Sequence, residues 1–203
     1  MNKANIFAAA LLIGCSGVNE PPVLQLDQEN LFTGGITSTL VGTFAQPGGG
    51  VSGDHQVAQT FTVEGSGRLA RVRTPLRSAQ GWPAPPAGAT MTIVAVDEHG
   101  LPDDGHTLGE ASISTTALLP PFDNLLDFEK WQIADFTSSN IQVMRGQQLA
   151  FVIRSTNAFP IDVPVEHNSG YVRGAAFLRD KTLSNEWALE TYDHLFQVFI
   201  IPE

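Results

Sequence analysis

Gln56-Val57-Ala58-Gln59-Thr60-Phe61-Thr62-Val63, running into Glu64-Gly65-Ser66-Gly67, is the stretch that decides the fold. In an extended chain successive side chains point to opposite sides, so Val57, Gln59, Phe61 and Val63 share one face. Gly65-Ser66-Gly67 then supplies the backbone freedom of a hairpin turn. Arg68–Ser78 alternates again, with Ala70, Val72, Thr74 and Leu76 on one side and Arg71, Arg73 and Arg77 on the other. Two alternating segments joined by a tight turn imply an antiparallel pair with one buried face.

The same grammar continues in both directions. Upstream, Val23–Gln28 reads as a first strand. Thr33–Asp54, which contains Gly48-Gly49-Gly50, reads as a long loop with a short strand at Thr39–Phe44. Downstream, Ala79–Gly88 is a Pro-rich loop holding Trp82, and Ala89–Asp97 is apolar on both faces. His99–Gly109 reads as a Gly/Pro/Asp loop. Strands follow at Glu110–Leu118, Glu129–Thr137, Gln147–Ser155, Tyr171–Asp180 and Asp193–Ile201, with a turn at Val143–Gly146. Leu118–Phe128 offers at most a short helical turn. No segment keeps a 3.6-residue apolar period over three turns. Eight or nine strands with regular turns predict an all-β, two-sheet antiparallel β-sandwich of the jelly-roll kind over residues 23–203, as one domain.

Composition agrees. Apolar residues make up 42% of the 203 and charged ones only 16%, with 19 Gly and 13 Pro, which suits an exported all-β domain. The formal net charge of −10 repels phosphate backbones, which argues against nucleic acid as a partner and against polybasic attachment to anionic lipid. One cysteine excludes an internal disulfide.

That cysteine ends a distinctive leader. Lys3 precedes the uncharged run Ile6–Ile13, too short to span a bilayer as a helix and right for a secretory signal. The ending Leu12-Ile13-Gly14-Cys15 resembles the lipobox of bacterial lipoproteins. The resemblance implies cleavage after Gly14, a lipid on the Cys15 thiol and a further acyl chain on its new amino group. Several chains exceed what stable anchoring requires. Ser16 after the cysteine implies sorting to the outer membrane. Residues 1–14 are then the signal peptide and 15–22 a tether ending in Pro21-Pro22.

Further short motifs recur in order along the chain. They are Leu26-Asp27-Gln28, Ala58–Val63, Gly67-x-Leu69-x-x-Val72, Leu101-Pro102 before Leu108-Gly109, and Trp131-x-x-x-x-Phe136. Gln147-x-Leu149-x-Phe151, Tyr171-x-x-Gly174, Trp187 and Asp193-x-x-Phe196 follow. Together they resemble a β-sandwich module common in secreted and surface-anchored bacterial proteins, of the carbohydrate-binding or galactose-binding type. The resemblance implies a fold and a surface setting, not an activity. The Gln147 segment stands where that family has a turn glycine and a tyrosine strand.

Candidate sites follow from side-chain chemistry. A pyranose stacks its apolar face on an aromatic ring, so Trp82, Tyr171 and Trp187 are the ligand-binding candidates; their competing role is to plug an end of the sandwich. Asp97, Asp103 and Asp104 flank one Gly-rich loop and could hold a structural calcium, or cap a turn through their carboxylates. Asp27 and Asp193, on the first and last strands, could share such an ion or bind backbone amides. The histidines 55, 99, 106, 167 and 194 lack the spacing of a cupin or zinc-protease site. No Gly-x-Ser-x-Gly elbow is present. No catalytic residue is assigned and no other cofactor is expected.

The expected function is therefore an exported, lipid-anchored, non-catalytic binding or envelope-structural module with a glycan or an envelope protein as partner. The alternatives are a surface polysaccharide hydrolase or lyase using a carboxylate pair, and a subunit of an envelope complex.

Overall fold

The computed structural model describes residues 22–31, 35–44, 53–78, 89–114, 119, 127–155, 161–167 and 171–203. Trp82, Cys15 and the leader lie outside the described residues. Among the described residues there are fifteen strands: β1 Gln25–Asn30, β2 Gly35–Phe44, β3 Gly53–Thr62, β4 Gly67–Thr74, β5 Arg77–Ser78, β6 Ala89–Val96, β7 Pro102–Ile113, β8 Gln132–Asp135, β9 Gln142–Val143, β10 Gln148–Ser155, β11 Ile161–His167, β12 Ala176–Asp180, β13 Ala188–Leu189, β14 Tyr192–His194 and β15 Phe196–Pro202. The count exceeds eight or nine because several are two- or three-residue pieces pinned to longer neighbours. A 3-10 turn, Phe128–Lys130, is the single helical element among the described residues.

The strands form two layers. The smaller sheet runs β1-β15-β4-β8, with β9 added on β4. The larger runs β14-β11-β2-β3-β10-β6-β7, with β12 against β3, β13 against β12 and β5 against β11. Every strand pairing is antiparallel. This is an all-β sandwich.

β3 fills the core as its alternation predicts, but Gly65-Ser66-Gly67 does not close a hairpin: β3 belongs to the larger sheet and β4 to the smaller, so the chain crosses between layers at this turn and the two strands do not pair. Val57, Phe61 and Val63 enter the core between the sheets, while Ala58 joins a second cluster on the outer face. β10 divides the same way: Leu149, Phe151 and Ile153 point in, Ala150 and Val152 out. Phe196 of β15 ties the layers together, with ring centroids 6.2 Å from Phe61 and 5.5 Å from Phe151. Such contacts add roughly 0.5–1.5 kcal/mol each beyond the area they bury. Gln59 is fully buried on this apolar face yet satisfied, because its amide donates to Asp193 Oδ1 over 2.9 Å and its oxygen accepts the His194 amide over 2.9 Å.

Three irregularities depart from strict alternation. In β4 the core member is Leu69, not Ala70, because pairing with β15 jumps from Arg71↔Phe199 to Leu69↔Ile200. The extra residue reverses the face of everything before it. In β1 the pairing jumps from Leu26↔Phe199 to Gln28↔Val198, so Asp27 is the bulged residue. The region expected as a loop at His99–Gly109 belongs largely to β7. Its pairing with β6 passes from Val94↔Thr107 to Ala95↔Asp103, so Asp104-Gly105-His106 bulges out of the ladder.

A candidate ligand cleft on the outer face of the larger sheet

The outer face of the larger sheet is not wet throughout. Ala58, Val94, Ala150, Val152 and Phe177 form an apolar floor, against which Leu101 and Trp187 pack. Trp187 reaches it because the chain reverses after β12. Asp180 Oδ1 accepts from the Thr182 amide and hydroxyl, at 2.9 and 2.7 Å, and the Asp180 carbonyl accepts from the Leu183 and Ser184 amides. A carboxylate folding back onto an amide two residues ahead starts such a turn.

Arg179 lies beneath this indole. Its guanidinium carbon is 3.9 Å from the Trp187 ring centroid, a cation–π contact. The side chain is only 4% exposed, and burial of a guanidinium requires partners. It has two: Nη1 meets Asp104 Oδ2 at 2.6 Å and Nη2 donates to Gln56 Oε1 at 2.8 Å. Asp104 also accepts from Arg154 Nη2 over 3.1 Å, so the β7 bulge is clamped onto the sheet by two arginines.

The cleft above is about 470 Å³ and is lined by Asp97, Leu101–Gly105, Arg179, Asn185, Glu186 and Trp187. Trp187, Asp97, Asp103 and Asp104 thus meet here from two distant parts of the chain. The acids are engaged rather than vacant. Asp97 Oδ1 accepts from the amides of His99 and Leu101 at 2.9 and 2.8 Å. Asp103 accepts from the Gly105 amide at 2.9 Å and pairs with the His106 ring, and the His106 hydrogen bond holds its carboxyl below the ordinary range. Among the described residues no three His, Cys, Asp or Glu side chains gather as a metal-ligating group.

The other residues singled out from the sequence lie elsewhere. Asp27, aimed by its bulge, accepts from the amides of Gly65 (2.7 Å) and Glu64 (3.1 Å) and fastens β1 to the β3–β4 turn. Burial raises its carboxyl pKa against the opposing pull of the Gly65 amide. Asp193 serves Gln59 instead: it lies on β14 of the larger sheet, not on β15, which is the strand that pairs with β1, so the two carboxylates have separate partners in separate sheets. Tyr171 packs edge-on against Phe196, centroids 5.2 Å apart, and its phenol donates to Gln28 Oε1 over 3.3 Å. Burial, then the charges of Asp193 and Asp27, push that phenol far above its usual pKa. In the arginine row, Arg71 Nε donates to Asp135 over 3.0 Å and Arg73 to the Phe128 carbonyl over 2.7 Å. Arg179, Asn185 and Glu186 are cleft residues that reading the sequence did not single out.

Chemically, the cleft offers an indole beside carboxylates and the Asn185 amide. General acid catalysis on a sugar requires a carboxyl that keeps its proton, and Asp103 is shifted the other way. No protein-family model matches the chain, and comparison with curated proteins finds no match.

Proposed function

We propose that this protein is an exported, lipid-anchored β-sandwich that binds glycan at the Trp187 cleft without turning it over. Cys15 carries the lipid, and the outer membrane holds the protein. The reading is supported by one observation above all. Trp187 shares a cleft with Asp103, Asn185 and Glu186, an aromatic ring ringed by hydrogen-bonding groups. Sugar sites combine these two chemistries, a ring for the apolar face of a pyranose and polar groups for its hydroxyls.

A glycan array read with the full chain tests it. Selective binding is expected, and loss of that binding in Asn185→Ala and Glu186→Ala at unchanged melting temperature. Both side chains are exposed, so neither variant disturbs the packing beneath Trp187. An array without a selective ligand overturns the reading. Release of new reducing ends from a polysaccharide replaces it with a hydrolase or lyase. For the anchor, the intact mass of the native product should show a chain beginning at an acylated Cys15.

A further inference from the structure

We propose that the end of the sandwich bearing the β3–β4 turn rests against the bilayer, with Leu26, Met144 and Val172 entering the boundary between headgroups and acyl chains. This rests on the lipid anchor proposed above for Cys15. Eight large hydrophobic side chains are exposed among the described residues. Four of them belong to this end: Leu26 and Val172 line a groove there, and Val23 and Met144 lie close in the chain to its lining residues Gln25 and Arg145. Leu26 and Val172 line one groove together with Glu64, Gly65 and Arg145, and Met144 adjoins it. Val172 is 90% and Met144 69% exposed, a state that an aqueous surface does not favour for neighbouring apolar groups.

The tether identifies what covers them. Val23 is eight residues after Cys15, and eight extended residues reach at most about 28 Å. The chain enters the domain at this same end, since Gln25 pairs with Ile200 and the adjacent Pro202 faces Gly67 of the turn. This end therefore stays within about 28 Å of the membrane, the reach of the tether. Charge does not drive the contact. Arg173 pairs with Glu64, and Asp27 is spent on the turn amides. Arg145, exposed, is available to a lipid phosphate. The contact is therefore apolar, as for a protein surface dipping into the interface, and the acyl chains supply the anchoring itself.

The full chain contains one cysteine, and acylation would block its thiol, so an introduced cysteine labels uniquely. Val172→Cys, Met144→Cys and Leu183→Cys would each carry an environment-sensitive fluorophore on the acylated protein in phosphatidylethanolamine–phosphatidylglycerol vesicles. Leu183 is 79% exposed and follows Asp180, which pairs with His55 at the opposite end of β3. Lipid-borne quencher is expected to dim the labels at 172 and 144, with a blue shift, and to leave the label at 183 unchanged. Equal quenching at all three sites, or none at 172 and 144 in vesicle-bound protein, overturns the orientation while sparing the anchor. Protein whose mass shows no acyl group, and which does not associate with vesicles, overturns both.

Discussion

Arg179 and Gln56 stand directly opposite each other across β12 and β3, and the arginine Nη2 donates to the glutamine Oε1 over 2.8 Å. The same guanidinium holds Asp104 of the β7 bulge and carries the Trp187 ring. One cation thereby joins three segments. Arg179→Met keeps the length but loses the charge and the hydrogen bonds, and should cost about 3 kcal/mol, the scale for breaking a buried ion pair. Urea unfolding of the variant measures it. Arg179→Lys should recover little, because an ammonium cannot serve Asp104 and Gln56 in one plane.

Glycines divide into two kinds, and substitution should separate them. A Cβ on Gly174 would lie 1.8 Å from the Thr60 carbonyl oxygen. That neighbour is backbone, and it is held in place by the Thr60 amide donating to the Ala175 carbonyl over 2.9 Å. Gly174→Ala should therefore cost about 4 kcal/mol or prevent folding, at the severe end for single substitutions. Gly146 has φ of 84° but open space around it. Gly146→Ala should cost only about 1 kcal/mol, the left-handed penalty alone. Thermal melts of the two variants give the comparison.

His194 makes stability depend on acid. Complete burial lowers its pKa from 6.5 to about 3, opposed weakly by the nearby Pro164 carbonyl, an acceptor that favours the protonated ring. The unfolded chain takes up this proton near its ordinary pKa while the folded chain refuses it. The unfolded state then binds more protons, so stability is full above about pH 6.5 and falls as pH drops toward 3. The slope approaches about 1.4 kcal/mol per pH unit for this one group. Urea midpoints between pH 7 and 4 should decline more steeply in the native chain than in His194→Asn.

Asp27 should behave as a hydrogen-bond acceptor whose charge is a burden. Its two amide contacts survive in Asp27→Asn, which still presents an oxygen to Glu64 and Gly65. Because burial raises the native carboxyl pKa, the ionised form is disfavoured on folding and the penalty grows as pH rises through that pKa. Asp27→Asn should match or exceed native stability at pH 7, whereas Asp27→Ala, which leaves the amides without their acceptor, should lose about 1–3 kcal/mol. Equal losses in both variants would mean that the negative charge itself is needed.

The two-layer architecture was legible where apolar residues alternate or fill both faces of a strand, as in β3, β6 and β10. It was obscured where strands are built from turn-forming residues. Gly35–Phe44 is β2, a ten-residue strand rich in Gly, Ser and Thr, of which only Thr39–Phe44 reads as strand and the first half reads as loop. Pro102, Asp103, Asp104 and Gly105 announce a turn, and they do form one, but as a bulge within a strand. Leu69 replaces Ala70 in the core through a bulge that simple alternation does not foresee. In the cleft, the aspartates near residue 100 were recognisable from their clustering and Trp187 from its chemistry. Their meeting was not, because it depends on β12 pairing with β3 and on the reach of Arg179, a residue unremarkable in sequence.

The place of β15 has a consequence for biosynthesis. It lies between β1 and β4 and contributes Phe196, Val198 and Ile200 to the inter-sheet core. A nascent chain therefore lacks the bridge joining its earliest strand to the rest until this late segment has left the ribosome. Closing so distant a pairing is slow. Late closure also makes the domain intolerant of truncation within those final residues.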